Sequence, residues 1–172
     1  MKSKLYTSIF FLLFILITAA RAADFKADVI DKIKLSEKDI PAGYIYGKIP
    51  DFARKTLKNN PWLMDRAAIK RLTGLIYPSG DYSRIRALYS TILAKKSKPY
   101  NDDIVCYIIV YNDSSSAKNE IRKIREFSDF NKDRVILFIR NNIAVIMFVD
   151  NVKTFPLLLD LSKIIENRLN QI

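Results

Sequence analysis

From Asp133 to Asp150 the chain reads DRVILFIRNNIAVIMFVD, two apolar runs separated by Asn141-Asn142. Asparagine tolerates positive φ, so a two-residue Asn-Asn loop between β-branched runs predicts a hairpin. A loop of that length fixes the register. Arg140 faces Ile143, Ile139 faces Ala144, Phe138 faces Val145, and the pairing runs back to Val135 opposite Phe148. Alternation then puts Val135, Leu137, Ile139, Ala144, Ile146 and Phe148 on one side of the pleat, with Ile136, Phe138, Ile143, Val145 and Met147 on the other. Both sides are apolar, whereas a sheet with one wet face alternates apolar with polar. The pair is therefore expected between two layers, or over an apolar floor open to a ligand.

The same pattern places the other elements. Two further strands are expected at Ser83–Leu93 and Ile104–Tyr111, the second apolar on both sides and hence interior to its sheet. In the first, Ile85, Ala87, Tyr89, Thr91 and Leu93 share a face. A helix from Trp62 or Asp65 to Ile76 carries Ala68, Ile69, Leu72, Leu75 and Ile76 at helical spacing. Asp113 and the serines after it can cap a second helix, whose stripe is Ala117, Ile121, Ile124 and Phe127 and whose solvated face includes Lys118, Glu120, Arg122, Lys123 and Arg125. Thr154 and Pro156 fit the start of a last helix buried through Leu158, Leu161, Ile165 and Leu169. A short helix is expected after Pro50, through Phe52, Ala53 and Leu57, and the stretch before Ile40 reads as a frayed arm or a short first element. The chain is thus expected to be α+β, with an antiparallel sheet of about four strands in ββαββα order and helices N-terminal to it. A layered α/β/α sandwich is the first choice and a two-layer α/β sandwich the alternative, with the helix ending at Ile76 on one sheet face and the two later helices on the other.

The first 22 residues stand apart. Lys2 and Lys4 precede an apolar run from Ile9 to Ile17, and Ala20-Arg21-Ala22 fits the A-x-A pattern, so residues 1–22 are expected to be a cleaved secretory signal and residues 23–172 a single globular domain. Removing Lys2, Lys4 and Arg21 from the 29 basic residues leaves 26 against 18 acidic ones, a net charge of +8. A basic exported protein can meet anionic envelope polymers or head groups, although these lysines are scattered rather than massed. The single cysteine, Cys106, excludes an internal disulfide even in an oxidising compartment, and its apolar surroundings suit a buried hydrophobe. A periplasmic or secreted location, with no membrane span once the signal is removed, is the expectation.

Histidine is absent, which excludes Ser-His-Asp and Cys-His arrangements and makes zinc a poor fit. No phosphate-cradling glycine loop or calcium loop occurs. Asp102-Asp103 is the nearest approach to a carboxylate pair, but neighbours on a strand point to opposite sides, so a turn role suits it better. Asp65 and Asp150 sit where caps and turns use acids. No catalytic residue, metal ligand or cofactor is therefore assigned. Candidate binding residues are Tyr44, Tyr46 and Trp62, aromatics in turns near bases, together with Arg134 and Arg140, which frame the Ile136 and Phe138 side of the hairpin. The turn aromatics equally suit plugs between the N-terminal helices and the sheet. The expected function is a non-enzymatic binding or interaction module of the bacterial cell envelope, taking an envelope protein, an anionic envelope polymer or an apolar ligand. The alternative is a carboxylate-dependent hydrolase acting on a glycan. Nucleic acid is not an expected partner.

The segments IPAGYIYGKIP, NPWLMDRAAIK and DDIVCYIIVY, spread over most of the chain beyond the signal, resemble a group of small exported bacterial proteins of uncharacterised function. The order of strands and helices is also similar to a PsbP-like sandwich. That likeness implies a fold and no mechanism.

Overall fold

The computed structural model describes residues 28–76 and 79–172, so the signal expected over residues 1–22 lies outside the described part. Four helical elements are described: α1 over residues 28–33, α2 at Arg66–Ile76, α3 at Ser114–Phe130 and α4 at Phe155–Leu169. The strands are β1 (Tyr44–Tyr46), β2 (Trp62–Leu63), β3 (Ile85–Lys95), β4 (Ile104–Tyr111), β5 (Val135–Arg140) and β6 (Ile143–Val149). Their order across the sheet is β1-β3-β4-β6-β5, with β2 also pairing to β3, and every pairing is antiparallel. The ββαββα order is present. The expected strand count of about four was too low, because β1 and β2 are too short to show a periodicity of their own.

The hairpin has the register that its two-residue loop dictates, from Arg140 opposite Ile143 to Val135 opposite Phe148. Asn141 takes a φ of 52°, the left-handed region asparagine tolerates. Only one of its strands is interior, however. β6 lies between β4 and β5, while β5 is an edge whose residues from Ile136 to Ile139 are half-buried. The strand buried throughout is β4, as its two apolar sides require.

Side chains from both sides of β4 enter separate apolar clusters. One joins Cys106, Ile108, Val145 and Met147 to Leu158, Leu161 and Ile165 of α4 and to Ile30 and Ile33 of α1. The other joins Tyr107, Ile109 and Ile146 to Ala68, Ile69 and Leu72 of α2 and to Ala117, Ile121 and Ile124 of α3. The expected pairing of the two later helices on one face is therefore corrected, since α3 packs with α2 and α4 with α1.

Local readings change for physical reasons at two places. Ile85 pairs with Tyr111 and Ala87 with Val110, so Arg86 is an extra residue on β3. Such a bulge reverses the alternation before it. Ile85 consequently joins the α2 and α3 cluster, while Ala87 and Tyr89 join the other. The stretch after Pro50 forms only a three-residue 3-10 turn, Asp51–Ala53, leaving Phe52 exposed. Of the two readings for the segment before Ile40, its described part, from residue 28, takes the short first element, with Ile30, Ile33 and Leu35 buried.

That segment is fastened by charge. Arg168 of α4 donates to both carboxylate oxygens of Asp39, at 2.8 and 2.9 Å, and to the Lys34 carbonyl at 2.7 Å. Asp39 also accepts from the Ser36 backbone and hydroxyl. Burial alone would raise the Asp39 pKa, but the bonds from Arg168 and Ser36 outweigh it and hold the carboxyl at about 2.

A second tie involves Glu120, expected on the solvated face of α3 but completely buried. It stands three residues after Ala117 and four before Ile124, which is on the buried stripe. Its carboxylate accepts from the Asp81 backbone N–H at 2.9 Å and pairs with Lys123 at 2.9 Å and Arg84 at 3.7 Å. The turn leading into β3 is thereby bound to α3.

Two consequences can be measured. A carboxyl whose pKa is depressed on folding adds stability above its unfolded value, near 3.9, and that contribution is lost as pH falls through its folded value. Asp39→Asn should lower the unfolding free energy by about 1–2 kcal/mol at pH 7, allowing for solvent screening. Urea denaturation near pH 2 should bring the two proteins together, and an undiminished gap there would exclude the carboxylate charge as its source. Glu120→Ala removes the acceptor of the Asp81 N–H and a carboxylate shared by Lys123 and Arg84, and leaves a void beneath α3, so it should cost about 1–3 kcal/mol in the same measurement at neutral pH.

Candidate functional site

The buried stripes of α2 and α3 end before their apolar residues do. On α2, Ala68, Ile69 and Leu72 are buried but Leu75 is 70% exposed. On α3, Ala117, Ile121 and Ile124 are buried but Phe127 is 56% exposed. Each helix thus carries its apolar face one turn further than its packing, and a groove of about 540 Å³ lies beside these last turns. Leu72, Leu75 and Phe127 line it from the helices, and Tyr107 of β4 and Phe148 of β6 line it from the sheet. The two sheet aromatics are in tilted contact, with ring centroids 6.0 Å apart.

Arg134 and Asp150 provide the charged part of the lining. Arg134 sits immediately before β5 and its guanidinium lies 3.3 Å from the Asp133 carboxylate. That hydrogen bond holds the Asp133 carboxyl below its usual range, and it raises the Arg134 pKa further, with Asp150 adding to the effect. One cation beside two acids leaves no net positive charge at this margin. It offers hydrogen-bond donors and acceptors to a polar group, and is a poor clamp for a bare anion. Burial pushes the Tyr107 hydroxyl up to about 12, so it stays protonated at neutral pH.

In volume and lining the groove falls in the ordinary range for small-molecule sites, mostly apolar with a few polar groups. Cys106 belongs to the α1 and α4 cluster, where burial drives its thiol up to about 12. Asp65 and Asp113 cap α2 and α3, accepting from Ala68 at 2.9 Å and Ser116 at 2.7 Å. Asp103 accepts from the Lys95 backbone at 3.0 Å, the turn role its position suggests. Among the described residues, no cluster of three or more Asp, Glu or Cys side chains is placed to hold a metal ion.

Of the five residues singled out from the sequence, Arg134 alone lines this groove. Arg140, at the far end of β5, lines a smaller cavity of about 140 Å³ with Arg86, Leu169 and Ile172, and it donates to the Asn170 side chain. Tyr44 and Tyr46 are half-buried against the α1 and α4 cluster, the Tyr46 hydroxyl lying 3.5 Å from the Leu35 carbonyl. Trp62 is half-buried against the opposite cluster, with the Lys58 ammonium 5.9 Å from its ring. The groove residues Leu75 and Phe127 escaped notice because they complete regular helical stripes, which read as core. The available signal was their place in the last turn of each helix.

No family model, curated protein or solved structure matches the chain. No helix among the described residues is long and apolar enough to cross a membrane.

If Leu75 and Phe127 serve the groove rather than the core, polar replacements should be cheap. Leu75→Ser and Phe127→Ser should each change the unfolding free energy by less than about 1 kcal/mol, whereas Leu72→Ala should cost about 2–4 kcal/mol. Chemical denaturation of the three variants checks the contrast.

Proposed function

We propose that the chain is an exported, non-enzymatic binding module of the bacterial cell envelope, and that the groove beside the last turns of α2 and α3 takes the apolar part of an amphiphilic ligand. The carrying observation is the groove itself, about 540 Å³ in volume, walled by Leu72, Leu75, Phe127, Tyr107 and Phe148 and bordered by Arg134 and Asp150. Exposed apolar surface that is concave and edged by polar groups is the usual signature of a recognition site. The Arg134 and Asp150 pair suits a hydrogen-bonding head group, neutral or zwitterionic, better than an isolated anion. Export is read from the lysines, apolar run and A-x-A pattern of residues 1–22, and the resemblance to small exported bacterial proteins supports the same reading.

The layered α/β/α reading belongs to the same proposal. The two clusters, one with α1 and α4 and the other with α2 and α3, supply its support, and they make the groove a gap at the margin of one helical layer. Glycoside hydrolysis on the two-carboxylate plan takes a facing pair separated by about 5–10 Å. The groove lining carries a single carboxylate, Asp150, so binding is the function it favours.

Protein expressed from the full-length sequence and recovered after export should bind 1-anilinonaphthalene-8-sulfonate saturably. A zwitterionic single-chain phospholipid should displace the dye. In Phe127→Asp the dye affinity should fall by about tenfold or more, with the unfolding transition nearly unchanged. Unsaturable dye binding, or equal affinity in the variant, would exclude the groove as the site.

A further inference from the structure

The two edges of the sheet are treated differently. The outer edge of β3 is occupied along its length: β1 pairs with Leu93 to Lys95, and β2 pairs with Tyr89 and Ser90. Between them the Asn60 side chain donates to the Ile92 carbonyl at 2.7 Å and accepts from the Ile92 N–H at 2.8 Å. Further along, Met64 donates to the Leu88 carbonyl and Arg66 to that of Ile85. Capping an edge in this way removes the template that unpaired strands offer to other chains.

The outer edge of β5 has no such cover among the described residues. In a two-residue hairpin the residues flanking the loop form a hydrogen-bonded pair, so Arg140, Phe138 and Ile136 turn their backbone groups toward β6. The bond from the Val149 N–H to the Arg134 carbonyl, 3.0 Å, continues that parity. Leu137 and Ile139 therefore direct their N–H and C=O groups outward, while the Val135 N–H is taken by the Asn131 carbonyl at 2.8 Å. No proline, lysine or bulge interrupts β5. Its side chains from Ile136 to Ile139 are half-exposed and apolar on both faces, with room for neighbours that the interior strands already have.

We propose that the β5 edge is a strand-addition site for a partner polypeptide: an extended segment with alternating apolar residues pairs with Leu137 and Ile139 and places an acidic residue opposite Arg140. The charges argue against a second copy of this chain as the occupant. Antiparallel pairing of β5 with its own copy over the full strand is centred on Leu137, and it places Arg134, already paired with Asp133, opposite the other copy's Arg140, so a second copy brings no carboxylate to that position. An acidic partner meets the reverse situation. No described carboxylate is within ion-pair distance of Arg140, whose guanidinium is exposed beside the Asn170 side chain. On an added strand the residue opposite Arg140 occupies a non-hydrogen-bonded position, where cross-strand side chains approach closest. Backbone pairing gives such a complex its affinity and the flanking side chains give it selectivity.

The test uses the acetylated, amidated peptide EVTVTV and its KVTVTV counterpart, with amide hydrogen exchange of the exported protein as readout. At saturating EVTVTV the Leu137 and Ile139 amides should slow by about tenfold or more while other strand amides hold their rates. KVTVTV should bind about two- to fivefold more weakly, the worth of one exposed ion pair. An EVTVTV peptide N-methylated at alternate residues on its pairing edge should leave both amides unprotected, which tests the pairing without altering the fold. Equal affinity of the two charged peptides, or protection elsewhere, would overturn the proposal. So would protection of both amides in the free protein: if it grows with concentration the edge pairs with a second copy, and if it does not the chain covers its own edge. Phe127→Asp should retain peptide binding, so failure of the groove and failure of the edge are told apart.

Discussion

Everything in this fold follows from the need to keep water from both sides of β4. Its eight residues, Ile104 to Tyr111, are all buried, and alternation divides them between two clusters. Ile104, Cys106, Ile108 and Val110 enter one, and Val105, Tyr107, Ile109 and Tyr111 enter the other. With no disulfide available to the single cysteine, apolar burial must supply most of the cohesion. A strand of this kind is unsuited to an edge, so β3 and β6 flank it and each of its sides enters one of the two apolar clusters. On each side a carboxylate with little or no exposure binds less regular chain to a helix: Asp39 to Arg168 of α4, and Glu120 of α3 to the turn before β3. Removing one partner of such a tie leaves a sheltered charge or a backbone N–H without that partner, which is why the ties hold geometry more firmly than their net energy suggests.

Legibility in the sequence tracked the length of each periodic signal. The hairpin register, β4, the stripe of α4 and the caps of α2 and α3 were all readable, because each rests on several residues repeating one period or on a side chain with a defined local role. The α+β class and the ββαββα order came with them. The short elements were not readable. β1 and β2 hold three and two residues, too few to display alternation, and they exist because β3 offers them an edge. Arg86 shows the limit of counting, since one added residue carried Ile85 to the opposite cluster with no composition cue. Glu120 shows another: a charge on a helix is assigned to solvent by its type, yet its spacing from Ala117 and Ile124 put it inside.

The candidate site was less visible than the fold for a related reason. Aromatics in turns attracted notice, and Tyr44, Tyr46 and Trp62 lie half-buried against the two clusters, away from the groove. Leu75 and Phe127 looked like ordinary core positions. What distinguishes them is that they stay exposed beside a gap between the helices and the sheet, a relation between elements that no single stripe records. Arg134 was readable as a charge beside the hairpin, but its neutralisation by Asp133 and Asp150 depends on where β6 ends.

The basic composition therefore does not define the site. A net positive chain would concentrate anions near its surface only where cations stand unpaired, and the groove margin sets one cation against two acids. What the margin offers is apolar contact and directional hydrogen bonds, which weaken little as salt is raised. The opposite end of β5 differs, since Arg140 stands without a carboxylate partner among the described residues. One strand thus joins a charge-balanced apolar groove at its start to an unbalanced cation at its end, with a free backbone edge between them. The surface is graded in polarity along a single direction, apolar beside Val135 and cationic at Arg140, and that direction is fixed by the two-residue turn at Asn141-Asn142.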